Sequence, residues 1–430
     1  MRATKDSGIS WLGEYPSDWE LKKIKYCLQE RVEKNNPVRT TEILSLTAKQ
    51  GVIPYDQKEG GGNKPKEDVS AYRLAYPGDI VMNSMNILSG SVGLSQYFGC
   101  VSPVYYMLRP WKAIEDVRYY NYIFQTTMFQ RSLFGLGNGI LIKESGNGKL
   151  NTIRMRIPMD KFGGLFIPVA PIDEQKRIAD FLDAKCAEID ALTADIQTQI
   201  DTLEQYKRSV ITETVTKGLN PNAEMKDSGI EWVGRIPAHW PIHPVYSYYG
   251  ERKNKNRLGK EDNLLSLSYG RVIRKDINTN DGLLPESFNT YNIVEAGDII
   301  IRPTDLQNDK RSLRTGLVKE HGIITSAYID LCPLKQVDSR YFHFLLHAYD
   351  VMKVFYNMGN GVRQGLNYSE FSRLMVFEPP YEEQVAMADY LETKVTEVDA
   401  IIEQKKEQMA VLDAYKRSLI FEYVTGKKEV

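Results

Sequence analysis

The chain has 430 residues, 42% of them hydrophobic, enough to bury substantial cores in about two to four domains. Lys and Arg (55) balance Asp and Glu (56), giving a net charge of −1 and a pI of about 6.6, so a nucleic-acid surface must come from local clustering of charge. The four cysteines (Cys27, Cys100, Cys186, Cys332) form no CxxC, no secretory leader opens the chain and no window holds 18 uninterrupted apolar residues; the expectation is a cytoplasmic protein without a membrane partner.

In chain order, KDSGISWLGEYPSDW (5–19) leads into short alternating runs, TEILSLT, GDIVMNS and SPVYYMLRP, which predict strands. VRYYNYIFQTTMFQRSLF predicts a helix, so 1–170 is expected to be a globular α+β domain. Next come apolar residues at heptad intervals (Leu182, Ile189, Ile196, Leu203, Val210), widened by Leu192, Ile200 and Tyr206. Pro171 and Asp173 mark a start and Gly218, Asn220 and Pro221 a stop, which predicts a helix over 171–220, about 65 Å long.

The pattern then recurs. KDSGIEWVGRIPAHW (226–240) repeats the entry, and LSL (44–46) returns at 265–267. PGDIV (77–81) returns as AGDII (296–300), SPVYYMLRP (102–110) as TSAYIDLCP (325–333), and GNG (137–139) at 359–361. Arg154, Phe162 and Leu165 match Arg363, Phe371 and Leu374. A second α+β domain over 221–378 is therefore followed by a second helix over 379–430, where Leu391, Val398, Leu412 and Leu419 repeat the stripe and Lys405 breaks it. Tyr206-Lys207-Arg208-Ser209 return as Tyr415-Lys416-Arg417-Ser418. A linker of about eight residues spans at most about 28 Å, which places the second domain at the C-terminal end of the first helix and predicts that the two helices pair antiparallel.

The copies have diverged unevenly. The helices and the SGI-W-G-P-W entry stay nearly identical, whereas 47–76 against 268–295 and 82–100 against 301–323 share little. A fixed frame thus carries two specialised surfaces. Their polar tips supply candidates for base edges: Lys49, Gln50, Asn83 and Asn86 in the first copy, Arg271, Arg302, Gln307 and Arg311 in the second. ERKNKNRLGK (251–260) is the sharpest basic cluster, adding Arg252, Lys253, Lys255 and Arg257, with Arg31 and Lys34 at the matching places in ERVEKNN. Arg154 and Arg363 follow the GNG runs as further DNA-facing candidates. Lys207, Arg208, Lys416 and Arg417, on the polar sides of the helices, are candidates for docking partner proteins.

Motifs of chemistry are weak. FEPPY (377–381) has the shape of the adenine-methyltransferase N/D-P-P-Y/F motif, but Glu378 holds the amide position and a helix starts at once. FGLGNG follows a helical run, not a strand, and so lacks the context of a cofactor loop. Glu174-Gln175-Lys176 has the E-x-K form of nucleases, yet the copy lacks the lysine, so a helix-start carboxylate is the better account. His343 and His347 have no joining carboxylate and are expected to pack on a helix face. No metal or cofactor site is expected in this chain.

The duplicated SGI-W-G-IP-W entry, the GDI and S-AY-L-P strands, the GNG turn with its following Arg and the P-EQ-IA-FL helix together resemble the specificity subunit of type I restriction-modification systems. The resemblance covers essentially the whole chain and includes the internal repeat. It implies two target-recognition domains joined by antiparallel helices, reading the two halves of a split sequence in double-stranded DNA. It further implies two modification subunits, which carry S-adenosylmethionine and methylate adenine, and restriction subunits that join them. The second copy is about 13 residues shorter between GNG and Arg363, and Ala170 stands where 379 is proline. A stand-alone DNA-binding regulator, or an enzyme acting in cis, are the alternatives; co-purification of a methyltransferase separates the first and binding of S-adenosylmethionine by the isolated chain tests the second.

Overall fold

The computed structural model describes residues 2–47, 50–58, 65–87, 90–137, 142–144, 150–152, 156–277, 287–304, 306, 313–356, 358 and 365–430. The fold is α+β and divides into two compact units, Met1–Ile196 with Glu407–Val430, and Gln197–Lys406. The divisions fall inside helices. The first long helix, Ile172–Lys217, has 46 residues and the second, Tyr381–Val424, has 44, about 69 and 66 Å at 1.5 Å per residue. Each unit therefore owns the start of one long helix and the end of the other. Among the described residues no helix is long and apolar enough to cross a membrane.

In the first unit an antiparallel sheet runs in the order Leu28–Arg31, Tyr105–Pro110, Ile80–Asn83, Val92–Leu94. Strand Ile80–Asn83 is buried along its length because the sheet is covered on both faces. Period-2 alternation sends Ile80 and Met82 into the main core, while Val81 and its cross-strand partner Met107 join a smaller one with Leu44, Leu46, Val52 and Val101. Helix Val117–Gln125, N-capped by Asp116, adds Tyr119, Tyr120, Ile123 and Phe124 to the main core. The long-helix segments close it with Ile178, Leu182, Ile189, Leu419, Ile420 and Val424. Phe181 lies against Tyr423 with ring centroids 4.5 Å apart, and Lys416 pairs with Asp190 at 2.7 Å. As the numbers rise along one segment they fall along the other, so these two segments run antiparallel.

The second unit repeats this plan with other residues. Its sheet runs Tyr249–Glu251, Ile329–Pro333, Ile299–Ile301, Thr315–Leu317. Ile299 and Ile301 face the main core, and Ile300 faces a smaller one with Leu265, Val294, Val318 and Ile324. Helix Ser339–Val351, capped by Asp338, contributes Tyr341, Phe342, Leu345, Leu346 and Tyr349; the long-helix segments contribute Ile211, Val215, Met387, Ala388 and Leu391. Lys405 donates to Gln199, and Lys207 pairs with Asp399 at 2.8 Å, so here too the segments are antiparallel.

Matched anchors explain why the entry motif and the helix starts changed least between the copies. The buried Trp19 indole donates to Glu174 at 2.9 Å and the buried Trp240 indole to Glu383 at 2.9 Å. A hydrogen bond to a charged group of this kind contributes about 1.5–3 kcal/mol. Gln175 Nε2 donates to the Ala170 carbonyl at 2.9 Å and its Oε1 accepts the Asp116 N–H at 3.2 Å; Gln384 does the same with Pro379 (2.8 Å) and Asp338 (2.9 Å). Glu174 and Glu383 are thus helix-start anchors, as the spacing predicts. Tyr119 and Tyr341 donate to the carbonyls of Val424 and Val215, near the ends of the long helices. Just beyond those ends, Gly426 (φ 70°) lies on Pro16 and Trp19, and Gly218 (φ 74°) on Trp240. Both positions have a left-handed backbone, and at Gly426 a Cβ would also run into Pro16, which is why glycine stands there.

Candidate nucleic-acid interface

The diverged segments surround the smaller core of each unit. In the first unit, Leu44–Thr47 pairs with Gly51–Pro54 and buries Leu44, Leu46 and Val52, so register is set by the apolar alternation and the tip is left free to vary. Gln50 is exposed at that tip, its N–H bonded to Thr47 Oγ1 at 3.0 Å, while Lys49 lies outside the described residues. Asn86 is exposed. Asn83 is buried, and its Oδ1 accepts the Met85 N–H at 3.0 Å, so it shapes the turn that presents Asn86.

In the second unit the equivalent hairpin is Leu265–Ser268 with Arg271–Arg274. Its two-residue turn is Tyr269-Gly270, with φ of 46° and 78°, the backbone of the tight hairpin turn that matches strand twist. Tyr269 is 89% exposed at this tip. It was not among the candidates drawn from the sequence, although a Tyr-Gly pair between LSLS and RVIR is a hairpin signal. Arg271 beside it is exposed, and its guanidinium reaches Asp399 on the second long helix at 2.5 Å. Lys253 and Arg257 are exposed, Lys253 pairing with Glu251 at 2.8 Å; the half-buried Lys255 donates to the Thr290 carbonyl at 3.0 Å. Arg302 follows the central strand, its N–H bonded to the Arg314 carbonyl at 2.8 Å. Gln307, Arg311, Arg154 and Arg363 lie outside the described residues.

Two candidates are held in ion pairs within their own domains. Arg31 grips the nearly fully buried Asp79 with two hydrogen bonds, 2.9 and 3.1 Å, and stacks 4.3 Å from the Tyr76 ring centroid. Arg252 grips Asp298 in the same way at 2.7 and 3.0 Å. Each guanidinium is thus ion-paired inside its own domain, where it also braces the sheet. The signal was present: the Arg and the Asp of the GDI strand recur together in the two copies. Lys34 remains exposed, and its backbone bridges to that of Arg73.

The helix candidates divide similarly. Lys416 pairs with Asp190 and Lys207 with Asp399, so these ammonium groups tie long-helix segments together within each unit. Arg208 and Arg417 stay exposed, Arg417 beside Asp413 at 3.1 Å. Among the described residues no group of three or more His, Cys, Asp or Glu side chains is placed to hold a metal ion.

Buried ionisable groups also went unnoticed in the sequence. Arg314, fully buried, donates to Tyr356 Oη at 2.9 Å and to the Thr304 carbonyl at 2.5 Å, and Asp350 accepts both its backbone N–H at 2.5 Å and the Tyr356 hydroxyl at 3.0 Å. Asp330 sits opposite Ile300 in the sheet, where the first unit has Met107 opposite Val81. Neither of its carboxylate oxygens has a hydrogen-bond partner among the described residues, and the Arg252 guanidinium stands 3.9 Å away. Burial, reinforced by the Asp298 charge, pushes its pKa up to about 8.

No protein-family model matches the chain. A Methanocaldococcus jannaschii protein described as a putative type I restriction enzyme MjaX specificity subunit is 23% identical over 440 residues, covering 97% of this chain and 96% of that one. The type I restriction enzyme MjaVIII specificity subunit of the same organism is 25% identical over 291 residues, 63% of each chain. A solved structure described as the structural basis of complex assembly and conformational transition of the type I R-M system superimposes with a TM-score of 0.68 at 12% identity, covering 96% of this chain and 99% of that one, a likeness of fold. The resemblance seen in the repeated motifs and that to the curated relatives point to the same group of proteins.

Proposed function

We propose that this chain, similar along nearly its whole length to specificity subunits of type I restriction enzymes, is the non-catalytic DNA-reading subunit of such a system in the cytoplasm. One observation carries the reading: two units share a matched internal frame, anchored at Trp19–Glu174 and Trp240–Glu383, but differ at the hairpins and loops around their smaller cores. A common frame with unlike reading surfaces suits a target of two unlike half-sites, not a palindrome. In the first unit Lys34, Lys49, Gln50 and Asn86 are assigned to DNA, joined by Arg154. In the second the set is Lys253, Arg257, Tyr269, Arg302, Gln307, Arg311 and Arg363, with Lys255 and Arg271 held by protein partners at its margin. Two modification subunits, binding S-adenosylmethionine and methylating adenine, dock on the matched surfaces around Arg208 and Arg417, and restriction subunits join through them.

Single-molecule sequencing of adenine methylation in the native host, with the gene intact and deleted, tests this. Deletion should erase methylation at one asymmetric two-part motif with a fixed unread gap. An unchanged methylation map, or loss confined to a continuous palindrome, would refute the proposal.

A further inference from the structure

The second unit holds a buried polar cluster that has no counterpart at the matching places of the first. Among the described residues Arg314 is the one arginine that is fully buried, and the equally buried Asp350 faces it. The Tyr356 hydroxyl links the two. It accepts from Arg314 Nε at 2.9 Å and from Lys353 Nζ at 2.9 Å, and it donates to Asp350 Oδ1 at 3.0 Å. Asp350 Oδ2 accepts the Arg314 N–H, and Arg314 Nη1 donates to the Thr304 carbonyl. Strand register identifies the first unit's equivalents. The Arg302 N–H donates to the Arg314 carbonyl at 2.8 Å just as the Asn83 N–H donates to the Ser91 carbonyl at 3.0 Å, so Ser91 stands at the place of Arg314. Counted from the helix caps Asp116 and Asp338, Met128 stands at the place of Asp350 and Phe134 at that of Tyr356.

The same sheet and helix are thus built in the first unit with serine, methionine and phenylalanine. Burying charge is costly, and well-packed apolar residues of similar volume often serve stability as well or better, so the fold does not demand the cluster. What the cluster fixes is the placement of the diverged segments. Arg314 holds the arm that leaves the central strand at two points, the Arg302 N–H and the Thr304 carbonyl. On the same arm the Leu366 N–H donates to the Pro303 carbonyl at 3.0 Å, and Leu306 is buried in the main core. Leu313, next to Arg314, lies against the hairpin turn: a Cβ on Gly270 would stand 3.0 Å from Leu313 Cδ1. One guanidinium therefore governs where Arg302 leaves the sheet and where the Tyr269-Gly270 turn rests. Hydrogen bonds constrain angle as well as distance, so they hold these segments to one arrangement more closely than apolar packing alone.

We infer that Arg314, with Asp350 and Tyr356, is a positioning residue: it sets how strictly the second unit discriminates bases without itself touching DNA. The inference rests on the DNA-reading function proposed above. Because the first unit has no such cluster at the matching places, loss of this one relaxes one half-site and leaves the other as it was.

The test uses the full chain co-expressed with the adenine methyltransferase subunit of its native host. Methylation rates are compared on a duplex carrying the two-part motif mapped in that host and on duplexes with one base pair changed in either half. Tyr356→Phe keeps the ring and removes the hydroxyl that joins Arg314 to Asp350. It should lower discrimination about tenfold in one half-site, while discrimination in the other half-site and amide protection of Ser339–Val351 stay as in wild type. Arg314→Met combined with Asp350→Leu removes both charges together, leaves neither unpaired and should give the same result. Wild-type discrimination in a folded variant, an equal loss in both half-sites, or loss of protection in both variants overturns the positioning role and leaves the functional proposal standing. A wild-type chain that directs no methylation overturns that proposal and this inference with it.

Discussion

Replacing Asp330 by Asn should make the second unit more stable, and the gain should grow with pH. The folded state holds the Asp330 proton up to about pH 8, whereas the unfolded chain loses it near 3.8. Between those values the native state binds one proton more than the unfolded state, so stability falls as pH rises, by about 1.4 kcal/mol per pH unit. From pH 5 to pH 7 this amounts to about 2.7 kcal/mol, and Asn, neutral throughout, abolishes it. At pH 5 the two proteins should be close to equal, because a protonated Asp and an Asn differ little in charge or size. The assay is amide hydrogen exchange of the strands Ile299–Ile301 and Ile329–Pro333 in both proteins at each pH, since these buried strands report opening of the unit. Comparison at equal pH cancels the intrinsic exchange rate and every other titrating group. The protection ratio of variant to wild type should rise about a hundredfold between pH 5 and pH 7. A ratio that does not change would mean that Asp330 is ionised and stabilised in the native protein, and the account of its burial would be wrong.

Arg314→Ala should destabilise the second unit by about 3–5 kcal/mol, because Asp350 and Tyr356 lose the buried cation they face; loss of protection in Ser339–Val351 checks it. Arg302→Ala should relax or weaken reading of one half-site only, by about 1–3 kcal/mol, as read by methylation mapping and competition binding. Adding a heptad after Gln199 and after Gln408 should lengthen the helix pair by about 10 Å, about three base pairs of DNA. The half-sites should stay the same while the unread gap grows; methylation with an unaltered gap would show that the helices do not set the spacing.

The duplication, the α+β character and the long helices were legible because they rest on local signals: heptad spacing, start and stop residues, and repeated strings. The helix-start role of Glu174 was legible too, since its copy kept the carboxylate and lost the lysine. Partners of charges were not. Arg31 and Asp79, or Lys207 and Asp399, are far apart in sequence, and composition alone cannot distinguish a cation facing solvent from one closing an ion pair. Asp330 was hidden for a related reason: in AYIDLCP an acid amid apolar residues reads as the solvent side of an alternating strand. It is buried because this sheet is covered on both faces. Tyr269 was missed because side-chain polarity, not turn geometry, guided the choice of candidates.

The interleaving of the two units has a consequence for synthesis. By the time the ribosome has added Lys406 it has supplied every residue of the second unit, whereas the core of the first still lacks Leu419, Ile420 and Val424. The part of the chain made first is thus finished last, and Trp19 and Tyr119 wait for the final helical turns to cover them. A product that terminates early can close its second unit but not its first. A chain cut short at Lys406 would leave aromatic core surface of the first unit uncovered, which makes such a fragment prone to aggregation and degradation.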